Sequence, residues 1–432
     1  MGRPGRLDVY LFPAVVGGGL GDVAEVLDAG RWLDRAGFRC RLYRSGGRAL
    51  PPSVDGPWDW PAIDVVDALR PEAPRALTVS PTWGVSAAPA RPEPFGRGGP
   101  WATETAEIES VYGVDQTLHV SLEEFARTYS SRRENEERFR EGGVPTAELA
   151  RRARSRDGRR AHRVWVEAFR RYRSLDVRNV LHLMGTFEAD ATFAREFPEI
   201  VQMGPLWPGA YAGGGSGKLD DPPTVLWYAS PSSSSRLLPE VARGVARTGR
   251  PAQLLVRSPR PLPASGVSSV SYELLSPVPT RLWRPRFRTS ALRIVTGSRT
   301  LLEALELGGP FLYFNGVLRS RNRNRRHRPE KIVALLRLFR RLGVERRILA
   351  DLDAFSRGHR VAQVVDRALT DRRWRAGFPT PAEVRRAVPE GIGEVLTRVA
   401  RRFAGGALSS SEIVQQARSD FAGGTVRGRS KV

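Results

Sequence analysis

The sequence predicts an α/β fold of two domains, each built on a parallel sheet. Three observations carry that expectation. The chain has 432 residues, more than one ordinary core serves, so two domains of roughly 150–200 residues fit it better. Two stretches, opening near Leu7 and near Thr224, each read strand, loop of tiny residues, helix, strand. Between them lies GAYAGGGSGKLDDPP, a linker by composition.

The first βαβ unit is LDVYLFPAVVGGGLGDVAEVLDAGRWLDRAGFRCRLY. Leu7–Phe12 is an apolar strand and Gly17–Gly21 a glycine-rich turn. A helix follows from Asp22, with Val23, Val26, Leu27, Trp32 and Leu33 on or near one face. Ala36-Gly37 stops it, and Phe38–Tyr43 is the next strand. Residues 44–62 read as loop, Ile63–Leu69 as a short helix and RALTVS as a strand. PTWGVSAAPARPEPFGRGGPW is a long irregular loop, of the kind that is functional or mobile. Residues 121–178 have helical composition, and RNVLHLMG is a buried strand. FPEIVQMGPLWP is an apolar segment closing in Gly-Pro and Trp-Pro.

The second half opens PTVLWYASPSSSSRLLPEVARGVARTGRPAQLLVRS, again strand, small-residue loop, helix, strand. EKIVALLRLFRRLG and HRVAQVVDRAL are amphipathic helices, and the chain is expected to fray from Phe403 to Val432.

Composition narrows the function classes. The apolar fraction of 41% supports packed cores, and no run of about 18 apolar residues reads as a membrane span. The start reads as a first strand rather than a secretory signal. Cys40 is the one cysteine, which excludes an internal disulfide or a cysteine-built zinc cage, and a cytoplasmic location is expected. The formal charge is +23, and only Lys218, Lys331 and Lys431 among the 69 basic residues are not arginine. A GC-rich genome explains arginine over lysine but not the net charge. Such a field attracts polyanions: nucleic acid, anionic membrane or phosphorylated substrates. Arg151–Arg173 holds ten arginines against Asp157 and Glu167, and reads either as a solvated helical face or as an anion- or membrane-facing patch.

The stretch most suited to chemistry is RIVTGSRTLLEALELGGPFLYF, Arg293–Phe314. Ile294–Thr296 ends a buried strand, and Gly297-Ser298-Arg299-Thr300 starts a helix. There the first N–H groups have no intrahelical partner and the dipole is positive. Gly297 lets an anion approach the backbone, and Ser298 or Thr300 can cap the helix or donate to a phosphate oxygen. A phosphate gains about 1–2 kcal/mol from the dipole in a partly buried site, and Arg299 adds a charge-assisted bond of about 1.5–3 kcal/mol. Glu303 sits one turn in, where a carboxylate can accept from sugar hydroxyls. The plainer alternative is a capping box, because Thr300 and Glu303 have the S/T-x-x-E spacing.

This order of strand, G-S-x-T, helix with Glu, G-G-P and strand resembles the nucleotide-sugar half-site of GT-B-fold glycosyltransferases. GGLGDV (Gly18–Val23) resembles the first glycine loop of glycogen and starch synthases, and its placement suits that of the peptidoglycan N-acetylglucosaminyltransferase. MGPLWP (Met203–Pro208) resembles the interdomain crossing, and VLWYASPSSSS (Val225–Ser235) the loop flanking the donor pyrophosphate. The resemblance spans roughly residues 7–43 and 180–345.

It implies two Rossmann-like domains facing across a cleft. Residues 1–205 would form the acceptor-side domain, with a helical insertion at about 121–178. Then come a linker at 206–223, a nucleotide-sugar domain at 224–404 and a tail at 405–432. It implies that Glu303 binds the donor ribose, that Gly297, Ser298, Arg299, Thr300 and Ser232 lie near the diphosphate, and that Gly19 and Gly21 let the first loop close over the ligands. Asp22 is the implied general base; its alternative role is N-cap of the helix it opens. After the strand Phe311–Phe314, Arg321–Arg328 holds five arginines and His327. Arg328 and Glu330, at the next helix start, fall where family members contact the sugar. The arginines can neutralise the leaving diphosphate or hold an anionic or lipid-linked acceptor.

The sequence also departs from the family. Val15 and Val16 stand where the glycogen and starch synthases carry a lysine, and DLD (Asp351–Asp353) lies between helices rather than at a nucleotide. Neither a metal nor a cofactor is expected, since helix dipoles and basic side chains can stabilise the leaving group. The expected function is transfer of a hexosyl or N-acetylhexosaminyl group from a nucleotide-diphosphate sugar to an unassigned acceptor, with peripheral membrane contact compatible with the charge. A sugar-nucleotide epimerase of the same fold would need carboxylates and histidines around the sugar. A nucleic-acid-binding module would use the 151–173 and 321–328 patches, but the aromatic-basic motifs of common modules are missing.

Overall fold

The computed structural model describes residues 7–12, 21–43, 63–81, 101–123, 177–209, 223–228, 231–249, 252–257, 270–275, 280–314 and 330–421. They fall into two compact units. The first takes in the described residues up to Leu206 and again from Pro389, and the second runs from Trp207 to Val388.

The first unit begins β1 (Asp8–Leu11), α1 (Gly21–Arg35), β2 (Cys40–Tyr43), β3 (Asp64–Val66) and β4 (Ala76–Pro81). It continues α2 (Trp101–Tyr112), β5 (Thr117–Glu123), β6 (Val180–Gly185), α3 (Ala191–Glu196) and β7 (Ile200–Met203). The strands form one seven-stranded sheet in the order β3-β2-β1-β4-β5-β6-β7, parallel at every pairing. β1, β2, β4 and β6 are buried along their whole length, as expected of parallel strands covered on both faces.

The second unit runs β8 (Thr224–Tyr228), α4 (Pro231–Ala246), β9 (Ala252–Arg257), β10 (Val270–Leu275), α5 (Thr280–Thr289), β11 (Leu292–Val295), α6 (Gly297–Leu307) and β12 (Phe311–Tyr313). Its sheet order is β10-β9-β8-β11-β12, again all parallel. Five helices follow: α7 (Glu330–Arg341), α8 (Arg346–Ser356), α9 (Val361–Thr370), α10 (Arg372–Ala376) and α11 (Pro381–Ala387). Phe311, Phe339, Trp374 and Phe378 meet in one aromatic cluster.

Three expectations are corrected. The first concerns Ile63–Leu69: Asp64–Val66 is an edge strand, not a helix, and pairs with β2. β-Branched Val65 and Val66 suit a pleated edge, and Asp64 there pairs with Arg39 across the strands. The second concerns the start of the helical 121–178 segment, since Ser121–Glu123 end β5; residues 124–176 lie outside the described set.

The third concerns the end of the chain. The second unit stops at Val388, not 404, and two further helices, α12 (Ile392–Ala404) and α13 (Ser410–Phe421), belong to the first unit. α12 lies along α1 so closely that a Cβ on Gly393 would fall 2.4 Å from the Trp32 ring. Before α13, the Ser409 hydroxyl and backbone N–H donate to Glu412 at 2.7 Å, and Ile413, Val414 and Ala417 are buried. Arg75, just ahead of β4, donates to the carbonyls of Phe403, Gly406 and Leu408 in the turn between these helices.

Candidate functional site

Strand order locates the candidate sites before any side chain is considered. In each sheet the winding direction reverses once, between β1 and β4 and between β8 and β11. At such switch points the loops leaving adjacent strands part to opposite faces, and ligands of open α/β sheets lie outside the carboxyl ends there. In the second unit the helices leaving β8 and β11 are α4 and α6. Ser232 is the second residue of α4, and Gly297, Ser298, Arg299 and Thr300 are the first turn of α6. The GSRT segment is therefore at the switch point. In the first unit the helix leaving β1 is α1, with Gly21 and Asp22 as its first two residues. Asp22 lies within the first turn rather than ahead of it.

At α6 the N-cap is Thr296, extended at φ −136° and ψ 141°, with no side chain capping the helix. Its hydroxyl donates to the carbonyl of Phe314, tying the end of β11 to the end of β12. The Thr300 hydroxyl turns back to the Thr296 carbonyl. The Glu303 carboxylate is 4% exposed and accepts from Arg299 Nε at 3.0 Å. The capping-box alternative is thus excluded: Thr300 stands one turn inside the helix, and its Glu partner is engaged by an arginine. The first amides of α6 are left without a side-chain acceptor among the described residues. Gly297 has φ +81° and nothing within 4 Å of where a Cβ would be. That conformation favours glycine, and a side chain there would meet none of the described residues. Residues 296–299 are half-buried.

The rear of the helix is fixed by a second carboxylate that sequence reasoning passed over. Glu306, 2% exposed, accepts from the Gly209 amide at 3.0 Å and from Arg385 at 2.7 Å. Arg385 in turn lies over the Trp207 ring. Buried Arg293 in β11 donates to the Gly308 carbonyl at 2.7 Å, where the helix ends. These contacts hold α6 along its length.

Several predicted residues receive less description. Glu330 opens α7, whereas Gly19, Arg328, His327 and the 151–173 and 321–328 patches lie outside the described residues. Asp351 accepts from Arg367 and from Trp374 Nε1, and Asp353 from Arg357, so the DLD pair is occupied by packing contacts. Among the described residues no group of three or more His, Cys, Asp or Glu is gathered as a metal site. The described histidines do not surround a sugar site. His119 is buried between Thr78 (2.7 Å) and Glu109 (3.0 Å) in the first unit. The His119 bond, with one from Asn179, holds the Glu109 carboxyl below its ordinary range. A cavity of about 400 Å3 lies along β7, lined by Asp190, Arg195, Gln202, Arg418 and Phe421. That is the far edge of its sheet from the β1–β4 switch point.

No family model and no curated relative matches the sequence. Solved structures are similar over nearly the whole chain. Phytolacca americana UGT2, complexed with UDP-2fluoro-glucose and pterostilbene, is 13% identical with a TM-score of 0.45, covering 96% of this chain and 100% of that one. A ugt transferase from Siraitia grosvenorii in complex with UDP is 13% identical at TM-score 0.43, with coverage of 96% and 100%. Acinetobacter baumannii MurG is 9% identical at TM-score 0.38, with coverage of 92% and 99%. Likeness at this level assigns no activity.

Proposed function

We propose that the chain is a glycosyltransferase that uses a nucleotide-diphosphate sugar and needs no metal, transferring a hexosyl or N-acetylhexosaminyl group. The observation that carries this reading is the start of α6. It lies at a topological switch point, its N-cap makes no side-chain bond to the helix, Gly297 stands at positive φ, and a buried carboxylate lies one turn behind.

In this reading the pyrophosphate settles against the Gly297–Arg299 amides, with the Ser298 hydroxyl and the Ser232 turn beside it. Glu303 accepts from the ribose hydroxyls, and Thr300 holds the first turn closed on Thr296. The acceptor oxygen attacks the anomeric carbon while the bond from that carbon to the diphosphate oxygen breaks. Asp22 takes the acceptor's proton. The fixed amide dipoles stabilise charge growing on the leaving diphosphate. Gly19 and Gly21 serve a closing loop, and Arg328 and Glu330 face the sugar. The acceptor is expected to be anionic or lipid-linked, to suit the basic chain.

The test is nucleotide diphosphate release from a panel of UDP-, GDP-, ADP- and dTDP-sugars, with and without EDTA, for the native chain and Glu303→Ala. Release that persists in EDTA and drops at least tenfold in the variant supports the reading. Binding of none of the nucleotides overturns it.

A further inference from the structure

The amino edge of the second unit's sheet carries a dense set of exposed arginines, and the contacts of the unit gather them at one end. Phe339 of α7 packs on Phe311, the first residue of β12, while Phe355 of α8 packs on Phe314 just past the strand. α7 therefore ends, and α8 begins, at the amino edge. Exposed Arg337, Arg340 and Arg341 are on the last turns of α7, and exposed Arg346 and Arg347 open α8. Arg347 reaches Asp371 at 2.8 Å, which brings exposed Arg372 and Arg373 beside them. Arg341 donates to the Ala387 carbonyl at 3.5 Å, which adds exposed Arg386.

Helix electrostatics account for only part of the set. Arg340 and Arg341 answer the negative end of α7. Arg346, Arg347, Arg372 and Arg373 do the opposite: each pair starts a helix, where the dipole is already positive and acids are favoured. No acid occupies the first turn of either helix. Glu345 and Asp371 stand at the two N-caps, and Asp371 accepts from the Arg373 and Trp374 amides, so four arginines meet two acids at these helix starts and the face keeps a surplus of positive charge for an external anion.

The surface also narrows the kind of anion. The large apolar side chains that are well exposed among the described residues are Val65, Val111 and Val114, all in the first unit. Among the described residues the arginine face thus lacks the apolar centre of a stable protein interface and the aromatic platform of single-strand nucleic-acid binding. A layer of phosphate headgroups needs neither, since Coulomb attraction and guanidinium–phosphate hydrogen bonds suffice.

We propose that this amino edge, formed by the ends of α7, α8, α10 and α11, docks on an anionic phospholipid bilayer. Docking there leaves the carboxyl edge clear, because α6 separates the two edges by about 16 Å along its axis.

The experiment is co-sedimentation of the full chain with vesicles of phosphatidylcholine alone and of phosphatidylcholine with an equal amount of phosphatidylglycerol. The variant is Arg340→Gln/Arg346→Gln/Arg372→Gln. A second variant of equal charge, Arg178→Gln/Arg247→Gln/Arg401→Gln, removes exposed arginines elsewhere. The expected result is binding to the anionic vesicles only, weakened roughly a hundredfold in the first variant and under tenfold in the second. The first variant's melting temperature should hold or rise, because two dipole-opposed charges are gone. Equal losses in the two variants, equal binding to neutral vesicles, or tighter binding to an RNA duplex than to the anionic vesicles would each overturn the proposal.

Discussion

The two edges of the second sheet present positive charge by different means. At the carboxyl edge, among the described residues, Arg299 is turned to Glu303, and the hydroxyls of Thr296 and Thr300 are spent on carbonyls. What faces outward is backbone N–H, fixed in direction by the helix. At the amino edge what faces outward is a set of exposed arginine side chains. The first arrangement suits one anion of defined shape in one place. The second suits any dense sheet of negative charge, and depends on how many arginines remain.

Breaking the first arrangement gives the largest effect. Gly297→Val puts a β-branched residue at φ +81° and its methyl groups beside the first amides of α6. Nucleotide affinity, read by calorimetry, should fall more than tenfold, with about 1–3 kcal/mol of stability lost to backbone strain. Gly297→Asn tolerates that φ and should keep the fold while still weakening binding. Wild-type nucleotide affinity in Gly297→Asn would mean that the ligand sits elsewhere.

Salt separates the edges next. Raising NaCl from 50 to 300 mM should cut binding to anionic vesicles by well over tenfold and nucleotide affinity by only a few-fold, since exposed charges are screened and oriented, partly buried amides much less. Parallel titrations check this, and equal slopes would erase the distinction.

The smallest effect comes from the acid within the arginine face. Asp371 caps α10 through the Arg373 and Trp374 amides and pairs with Arg347. Those contacts hold its carboxyl below the ordinary 3.8, the Trp374 amide contributing most. The stability it adds is present above that value and is lost as pH falls through the lowered one. Asp371→Asn should bind anionic vesicles a few-fold more tightly at pH 7, leave nucleotide affinity unchanged, and flatten the acid limb of a melting-temperature profile below the ordinary carboxyl value of 3.8.

Much of the fold was legible because parallel strands buried on both faces are near-continuous apolar runs. LDVYLF, LHLM and TVLWY announce themselves, and Gly-Gly-Pro marks the end of α6. IDVVDAL misled because a three-residue edge strand is too short for its period to show, and its state was set by pairing with β2. The end of the chain misled for a different reason. Ser409 and Glu412 carry the capping spacing, and Ile413, Val414 and Ala417 mark one helical face, but the composition around them is polar. The candidate site was legible as GSRT and Glu303, while the choice between a capping box and an open helix start was not. That turned on Thr296, which lies outside the S/T-x-x-E spacing, and on an Arg299–Glu303 pair that forms only on the folded surface.

By itself the sequence determined the two βαβ openings, the helix after Thr296 and the surplus of arginine, since each follows from local pattern and composition. Tertiary structure alone decided that α12 and α13 return to the first unit, that Glu303 is buried, and that arginines from four separate helices converge on one edge. Those outcomes depend on which distant segments share a face, and local physical chemistry carries no record of it.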